Sequence, residues 1–308
     1  MTSPARTRIY AKDDMLKTIR NLLNGLAFGI TETVPGVSGG TIAIILGFYD
    51  ELIGAINNFR KEPKRYLKFL LPILAGVIVG FVAFSGVMTY LLTNYTLPTM
   101  TFFIGLIVGI IPIIFAKVKE PEGGLRSGRL AMIGLPALLV IVLAGLKGVE
   151  IREPVDVIAG IDFPYMLFLL LAGAIAAMAL VVPGISGSFV LLLIGIYPLA
   201  TYSISSIRYL ISDPSTALLL DICKVLVPLG IGVVIGGLLM CRLIEGLLTR
   251  HYKIAYSIIL GLLLGSIYAL LRAQILEQSG IQAQTVIIAV ITCVAGCVLS
   301  YNLGKKRL

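Results

Sequence analysis

The chain is short of charge. Lys, Arg, Asp and Glu make up 13% of its 308 residues, about half the roughly 25% usual in soluble domains. Hydrophobic residues reach 58% and the mean hydropathy is +1.00. An ordinary soluble domain is excluded. Histidine is nearly absent: His251 stands alone, between Arg250 and Lys253 around the end of an apolar run. A serine nucleophile needs a base, and a single remote imidazole cannot serve several candidate serines. The four cysteines, Cys223, Cys241, Cys293 and Cys297, fall in apolar segments without metal-ligand spacing, so packing is their expected role and no metal is expected. A GxxxxGK[ST] nucleotide loop is missing. No secretory signal is expected either: the run after the basic N-terminus is interrupted by Asn21, Asn24 and Thr31, with no small-residue cleavage site. A formal charge of +9 would suit a nucleic-acid partner, but the basic residues flank apolar spans instead of forming one patch, so none is expected.

What is present is hydrocarbon-compatible length. Apolar segments of about 17–25 residues are membrane-span candidates, and six fit: about 67–92, 98–116, 129–146, 217–241, 254–271 and 284–303. The expected fold is an all-α polytopic membrane protein whose outer surface meets membrane lipids.

Two further apolar regions carry one phrase twice. Residues 34–49 read VPGVSGGTIAIILGFY and residues 182–197 read VPGISGSFVLLLIGIY. At an offset of 148, Val34, Pro35, Gly36, Ser38, Gly39, Gly47 and Tyr49 recur as Val182, Pro183, Gly184, Ser186, Gly187, Gly195 and Tyr197. At an offset of 156, residues 72–109 align without gaps to 228–265, matching Pro72, Gly76, Gly80, Thr93, Gly105 and Gly109 to Pro228, Gly232, Gly236, Thr249, Gly261 and Gly265. The chain reads as two repeats, 1–146 and 147–308, joined by the polar segment 147–162. Each is a hairpin, about 21–56 or 164–206, followed by three spans.

An unpaired backbone group in hydrocarbon costs several kcal/mol, so a Pro-Gly break survives there only against protein or a watery cavity. The first hairpin's arms, 21–34 and 41–56, extend only about 21 and 24 Å, short of a roughly 30 Å core; a re-entrant hairpin is expected. The second hairpin's leading arm, at about 28 Å, is long enough to span nearly, and both readings stay open there. Charge favours re-entry. With the N-terminus inside and both hairpins re-entrant, twenty Lys and Arg lie inside and five outside; if each hairpin crosses, the numbers are 13 and 12. Cytoplasmic loops are the Lys- and Arg-rich ones. Three spans then separate the hairpins, so the repeats are inverted and both termini are cytoplasmic.

Inverted halves with breaks meeting near mid-membrane suit a transporter. The tips suit an anion: Gly39, Gly40 and Thr41 open a helix whose free N–H groups carry partial positive charge, glycine permits close backbone approach, and Ser38, Thr41, Ser186 and Ser188 add hydroxyls. Close helix packing is the plainer use of small residues, though less apt for two copies. Glu32 adjoins the first tip where the second has Leu180. Intramembrane carboxyls are costly and usually functional. Glu32 is a candidate for proton coupling, or else it sits at a wet mouth or caps a helix. Tyr49 and Tyr197 read as interfacial anchors, Asp50 and Glu51 as solvated, and Asp221 with Lys224 as an i,i+3 ion pair.

ETVPGVSGGTIAIILGFYDELI, residues 32–53, with VPGISGSFVLLLIGIY, residues 182–197, resembles the PopT-type undecaprenyl-phosphate (polyprenyl-phosphate) translocases, over about 15–304. The resemblance implies a flippase in the cytoplasmic membrane that returns undecaprenyl phosphate, or a related polyprenyl phosphate, to the cytoplasmic leaflet for envelope synthesis. It carries that family's motif onto Glu32, Pro35, Gly36, Ser38, Gly39, Gly40 and Thr41, and onto Pro183, Gly184, Ser186, Gly187 and Ser188. It implies no cofactor beyond a coupling proton, and leaves a homo-oligomer open. The alternative is a small-anion or ion transporter using the same tips. An enzyme is remoter. The Gly-x-Ser-Gly of each tip resembles the serine loop of intramembrane proteases but has no base beside it, and no His/Arg cluster suggests a lipid phosphatase.

Overall fold

The structure is a computed structural model, described here for residues 4–34, 37–120, 127–146, 154–212, 215–274 and 283–305. Every regular element among these residues is an α-helix, with no strand among them. The first half holds α1 (Pro4–Glu32), α2 (Gly39–Ile45), α3 (Tyr49–Asn57), α4 (Pro63–Asn94), α5 (Thr96–Val118) and α6 (Ser127–Gly145). After the short α7 (Pro154–Ala159) come α8 (Phe163–Val181), α9 (Gly187–Ile194), α10 (Tyr197–Ser212), α11 (Thr216–Arg250), α12 (Tyr252–Gln274) and α13 (Ala283–Lys305).

Local chemistry sets the boundaries. Asp162 caps α8 by accepting from the Tyr165 N–H at 2.9 Å, with Pro164 in the first turn, where its missing N–H costs nothing. At the other end, Pro183 follows Val182, and a residue before proline is steered out of helical backbone. The helices α4, α5, α6, α8, α11, α12 and α13 are each long and apolar enough to cross a membrane. The six expected spans are all there. The 35 residues of α11 extend about 52 Å, well beyond a roughly 30 Å hydrocarbon core. The chain is a multi-pass membrane protein.

The hairpins differ from expectation in two ways. The leading arm of the first is the 29-residue α1, longer than the arm expected from residue 21. The trailing arm is not one helix: α2 and α3 meet at 116°, and α9 and α10 meet at 110°. The repeated glycines make both bends. Gly47 has φ 68° and Gly195 has φ 81°, left-handed conformations that an L side chain resists.

Equivalent residues of the two copies make equivalent contacts. A Cβ on Gly76 would overlap the Leu22 carbonyl; one on Gly232 would overlap that of Leu170. These contacts hold α1 on α4 and α8 on α11. Between the halves the partners are exchanged. On α5, Gly105 and Gly109 lie against the carbonyls of Cys293 and Cys297 on α13, while on α12, Gly261 and Gly265 lie against those of Ile133 and Ala137 on α6. Without a hydrophobic drive between helices in lipid, such backbone-to-backbone approach is a main source of association. The largest buried cluster surrounds α2, α3, α5 and α12.

Candidate anion-binding tips

The breaks after α1 and α8 come together inside the protein. Ser38 and Ser186 open α2 and α9 with nearly the same backbone, φ −100° and ψ 127° against φ −96° and ψ 129°. Ser38, Thr41 and Ser186 are buried, each at most 3% exposed. The Gly184 N–H donates to Thr41 Oγ1 at 3.1 Å, and Ser38 Oγ makes a long 3.5 Å contact with the Val182 carbonyl. A Cβ on Gly40 would stand 3.3 Å from Pro183 Cα, so the two backbones nearly touch there. Gly184 turns with φ 91°, a third position whose conformation an L side chain resists. Ser186 and Ser188 share a hydrogen bond of 2.8 Å. Pro35 and Gly36 lie outside the described residues. Of the remaining tip residues named from sequence, Gly40 meets Pro183 and Thr41 meets Gly184, while Ser38 approaches Val182. Gly39 and Gly187 are the first residues of α2 and α9, and the paired hydroxyls of Ser186 and Ser188 stand at the start of α9.

Glu32 reaches back over its own tip: Oε1 accepts from the Gly39 N–H at 2.9 Å. The carboxylate therefore caps the first turn of α2, satisfying one donor that a helix start leaves free. On the other tip, Leu180 packs against Gly187 and offers no acceptor.

Tyr49 is not an interfacial anchor. It is 3% exposed, and its hydroxyl donates to the Val181 carbonyl at 3.0 Å. The bend at Gly47 turns it inward, under the second tip. Tyr197 stays exposed. Beside the second tip lies an apolar cavity of about 550 Å³ between α6, α8, α11 and α12, walled by Pro136, Met178, Val182, Pro183, Ile244 and Leu262, with Tyr49 at its edge.

Below the tips, polar contacts gather at one basic end. Lys117 donates to the Tyr256 hydroxyl at 3.1 Å and lies over its ring at 4.4 Å, and that hydroxyl donates to Asp50 at 3.1 Å. Asp50 is exposed, as expected, but it is tied to α12. Sequence reasoning missed this chain because its members are far apart in sequence and only folding brings them together. Glu120 bridges Lys253, at 2.6 Å, and Arg129. The hydrogen bond from Lys253, aided by Arg129, holds the Glu120 carboxyl below its usual range despite some desolvation. Asn58 donates to Glu245 at 2.7 Å. Asp221 and Lys224 form the expected pair at 3.1 Å. No cluster of His, Cys, Asp or Glu able to hold a metal occurs among the described residues.

With this geometry in view, the chain can be set beside known proteins. A polyprenyl-phosphate transporter of Staphylococcus aureus (strain NCTC 8325 / PS 47) is 30% identical over 290 residues, covering 92% of this chain and 95% of that protein. A polyprenyl-phosphate transporter of Vibrio cholerae serotype O1 is 28% identical over 259 residues, covering 80% of this chain and 75% of that protein. No solved structure matches. The family model described as undecaprenyl phosphate translocase-like matches residues 28–288, and the chain belongs to that family.

Proposed function

We propose that the protein moves a polyprenyl phosphate from the outer to the cytoplasmic leaflet of the cytoplasmic membrane. The phosphate passes the paired tips, and the isoprenoid tail stays in apolar surroundings. One observation carries this reading: two buried tips bearing hydroxyls and backbone donors meet each other, and an apolar cavity opens directly beside them. A small anion would use the tips but gain nothing from the cavity. In hydrocarbon, an anionic headgroup faces a large desolvation barrier, and buried donors lower it. In the closed arrangement the Gly184 N–H and the Ser38 hydroxyl are spent between the tips. A phosphate arriving there exchanges neutral hydrogen bonds for charge-assisted ones, roughly twice as strong.

The two halves act as inverted repeats, 1–146 and 147–308, presenting the tips to each side in turn. Both termini are cytoplasmic. An inside-negative potential opposes inward movement of an anion, and a proton carried on Glu32 offsets that. Leaflet-resolved transport of labelled polyprenyl phosphate in proteoliposomes tests the function. Lipid movement that rises with protein is expected. Release of a small labelled anion without lipid movement would favour the small-anion alternative. Orientation has its own test, in a cysteine-free background: in intact cells an impermeant thiol reagent should label Val155→Cys rapidly and Glu62→Cys hardly at all. The reverse pattern sinks the inverted arrangement.

A further inference from the structure

A second polar depression lies at the basic end, where α1, α3 and the start of α4 enclose a cleft of about 830 Å³. Lys17, Arg20, Arg65 and Lys68 border it, with Glu51 the only carboxylate among its lining residues. Arg65 pairs with Glu62 on the exposed surface, while Lys17, Arg20 and Lys68 form no ion pair among the described residues. Asn21 is in the wall, 5% exposed, and its Oδ1 has no hydrogen-bond partner. Leaving a buried acceptor unmatched costs about 1–3 kcal/mol.

The cleft does not end blindly. Leu67 and Leu71 line both it and an apolar groove of about 300 Å³, whose other walls include Phe28, Leu52, Leu70 and Ile73. Phe28, in the wall of this groove, packs its ring against Gly39 at the first tip. The cleft and the groove therefore share a wall, and Phe28 ties the groove to that tip.

Positive residues at the cytoplasmic ends of spans are general. That rule does not account for an apolar groove that shares a wall with the cleft and reaches toward the tip. A bare anion would leave the groove unused, and a neutral hydrocarbon would leave the cleft unused. A phosphate monoester on a long apolar chain fits both: its anionic oxygens suit the lysines and arginines, and its chain suits the groove. We infer that this is a second site for the polyprenyl phosphate, where the lipid rests after leaving the tips and before it enters the leaflet. The inference rests on the proposal that the tips serve such a lipid.

The test uses the full-length protein in phosphatidylcholine nanodiscs, with a polyprenyl phosphate carrying a diazirine in its first isoprene units as probe. Crosslinked peptides are mapped after illumination. Labelling is expected in two regions, 67–74 and 178–185. Arg20→Gln combined with Lys68→Gln should lower labelling at 67–74 at least fivefold and leave 178–185 unchanged. Excess unlabelled polyprenyl phosphate should remove both signals; equal excesses of phosphatidylglycerol or inorganic phosphate should remove neither. Labelling confined to 178–185 overturns the second site and leaves the tips standing. Displacement from 67–74 by phosphatidylglycerol makes it a general anionic-lipid groove and overturns the assignment to the transported lipid. Absence of labelling at both regions removes this site and the proposed function together.

Discussion

Ser38 and Ser186 hold the same place in their copies and nearly the same backbone, yet the short helices they open live in different surroundings. All seven residues of α2 are buried; in α9 only Gly187 is. A carboxylate caps the first helix, and a leucine stands at that place beside the second. The first hairpin is enclosed by α5, α8 and α13, while the second has an apolar cavity at its flank. Duplication has kept the turn chemistry, and the divergence has fallen on the neighbours. One tip is walled in on all sides, and the other flanks an apolar cavity. The positions where the copies differ are therefore the ones to perturb.

The largest effect is expected at Thr41, where the second copy has Phe189. Thr41→Val keeps the shape but removes the acceptor for the buried Gly184 N–H, a loss of about 1–3 kcal/mol. Thermal unfolding in detergent should show it as a clear drop in midpoint; Ser188→Ala, which breaks only the hydroxyl pair with Ser186, should show much less. Equal effects would mean that the tips do not depend on the bond between them.

Next comes Glu32, in two substitutions. Glu32→Leu copies the second tip and removes the helix cap, at about 0.5–2 kcal/mol. Glu32→Gln keeps an acceptor for the Gly39 N–H but cannot titrate, so it should stay folded and lose any stimulation of transport by an imposed pH gradient. If gradient dependence survives in the glutamine variant, Glu32 is a cap and nothing more.

A smaller difference should separate the two tyrosines. Tyr49→Phe loses a bond to the second tip, about 1 kcal/mol. Tyr197→Phe, at an exposed ring, should fall within about 0.5 kcal/mol of the parent. The smallest effect belongs to the basic end. Glu120 has a depressed carboxyl pKa in the folded protein, so its contribution is present above the ordinary carboxyl range and is lost as pH falls through the folded value. Glu120→Gln should slightly flatten the fall of melting temperature on acidification. A wild-type-like fall would show that the Lys253 and Arg129 contacts are too solvated to matter.

Much of this was legible from residues. Spans announce themselves because about 20 apolar residues in a row have few other uses, and Pro-Gly inside such a run must mark a break. The bends at Gly47 and Gly195 were harder. Glycine in an apolar run serves helix packing as often as turning, and the φ angle is not written in the pattern. Gly105 and Gly261 were matched by register, yet their partners, Cys293 and Ile133, lie in segments that the repeat alignment did not reach. The meeting of Thr41 with Gly184, and of Lys117 with Tyr256 and Asp50, depends on tertiary placement. Tyr49 misled because a tyrosine near a span end usually marks the interface, and only the turn at Gly47 sends it inward.

The exchange of helices between halves has a consequence for biosynthesis. A chain is made from its N-terminus, and α5 is in place long before the partner of its glycine face, α13, which begins at Ala283. That notch has no protein partner until the last helix enters, so the first half is expected to be unstable on its own. Fragments 1–146 and 154–308, expressed separately, should each be degraded; expressed together, they should purify as a complex. Stable accumulation of the first fragment alone would show that the notch tolerates lipid in place of its partner.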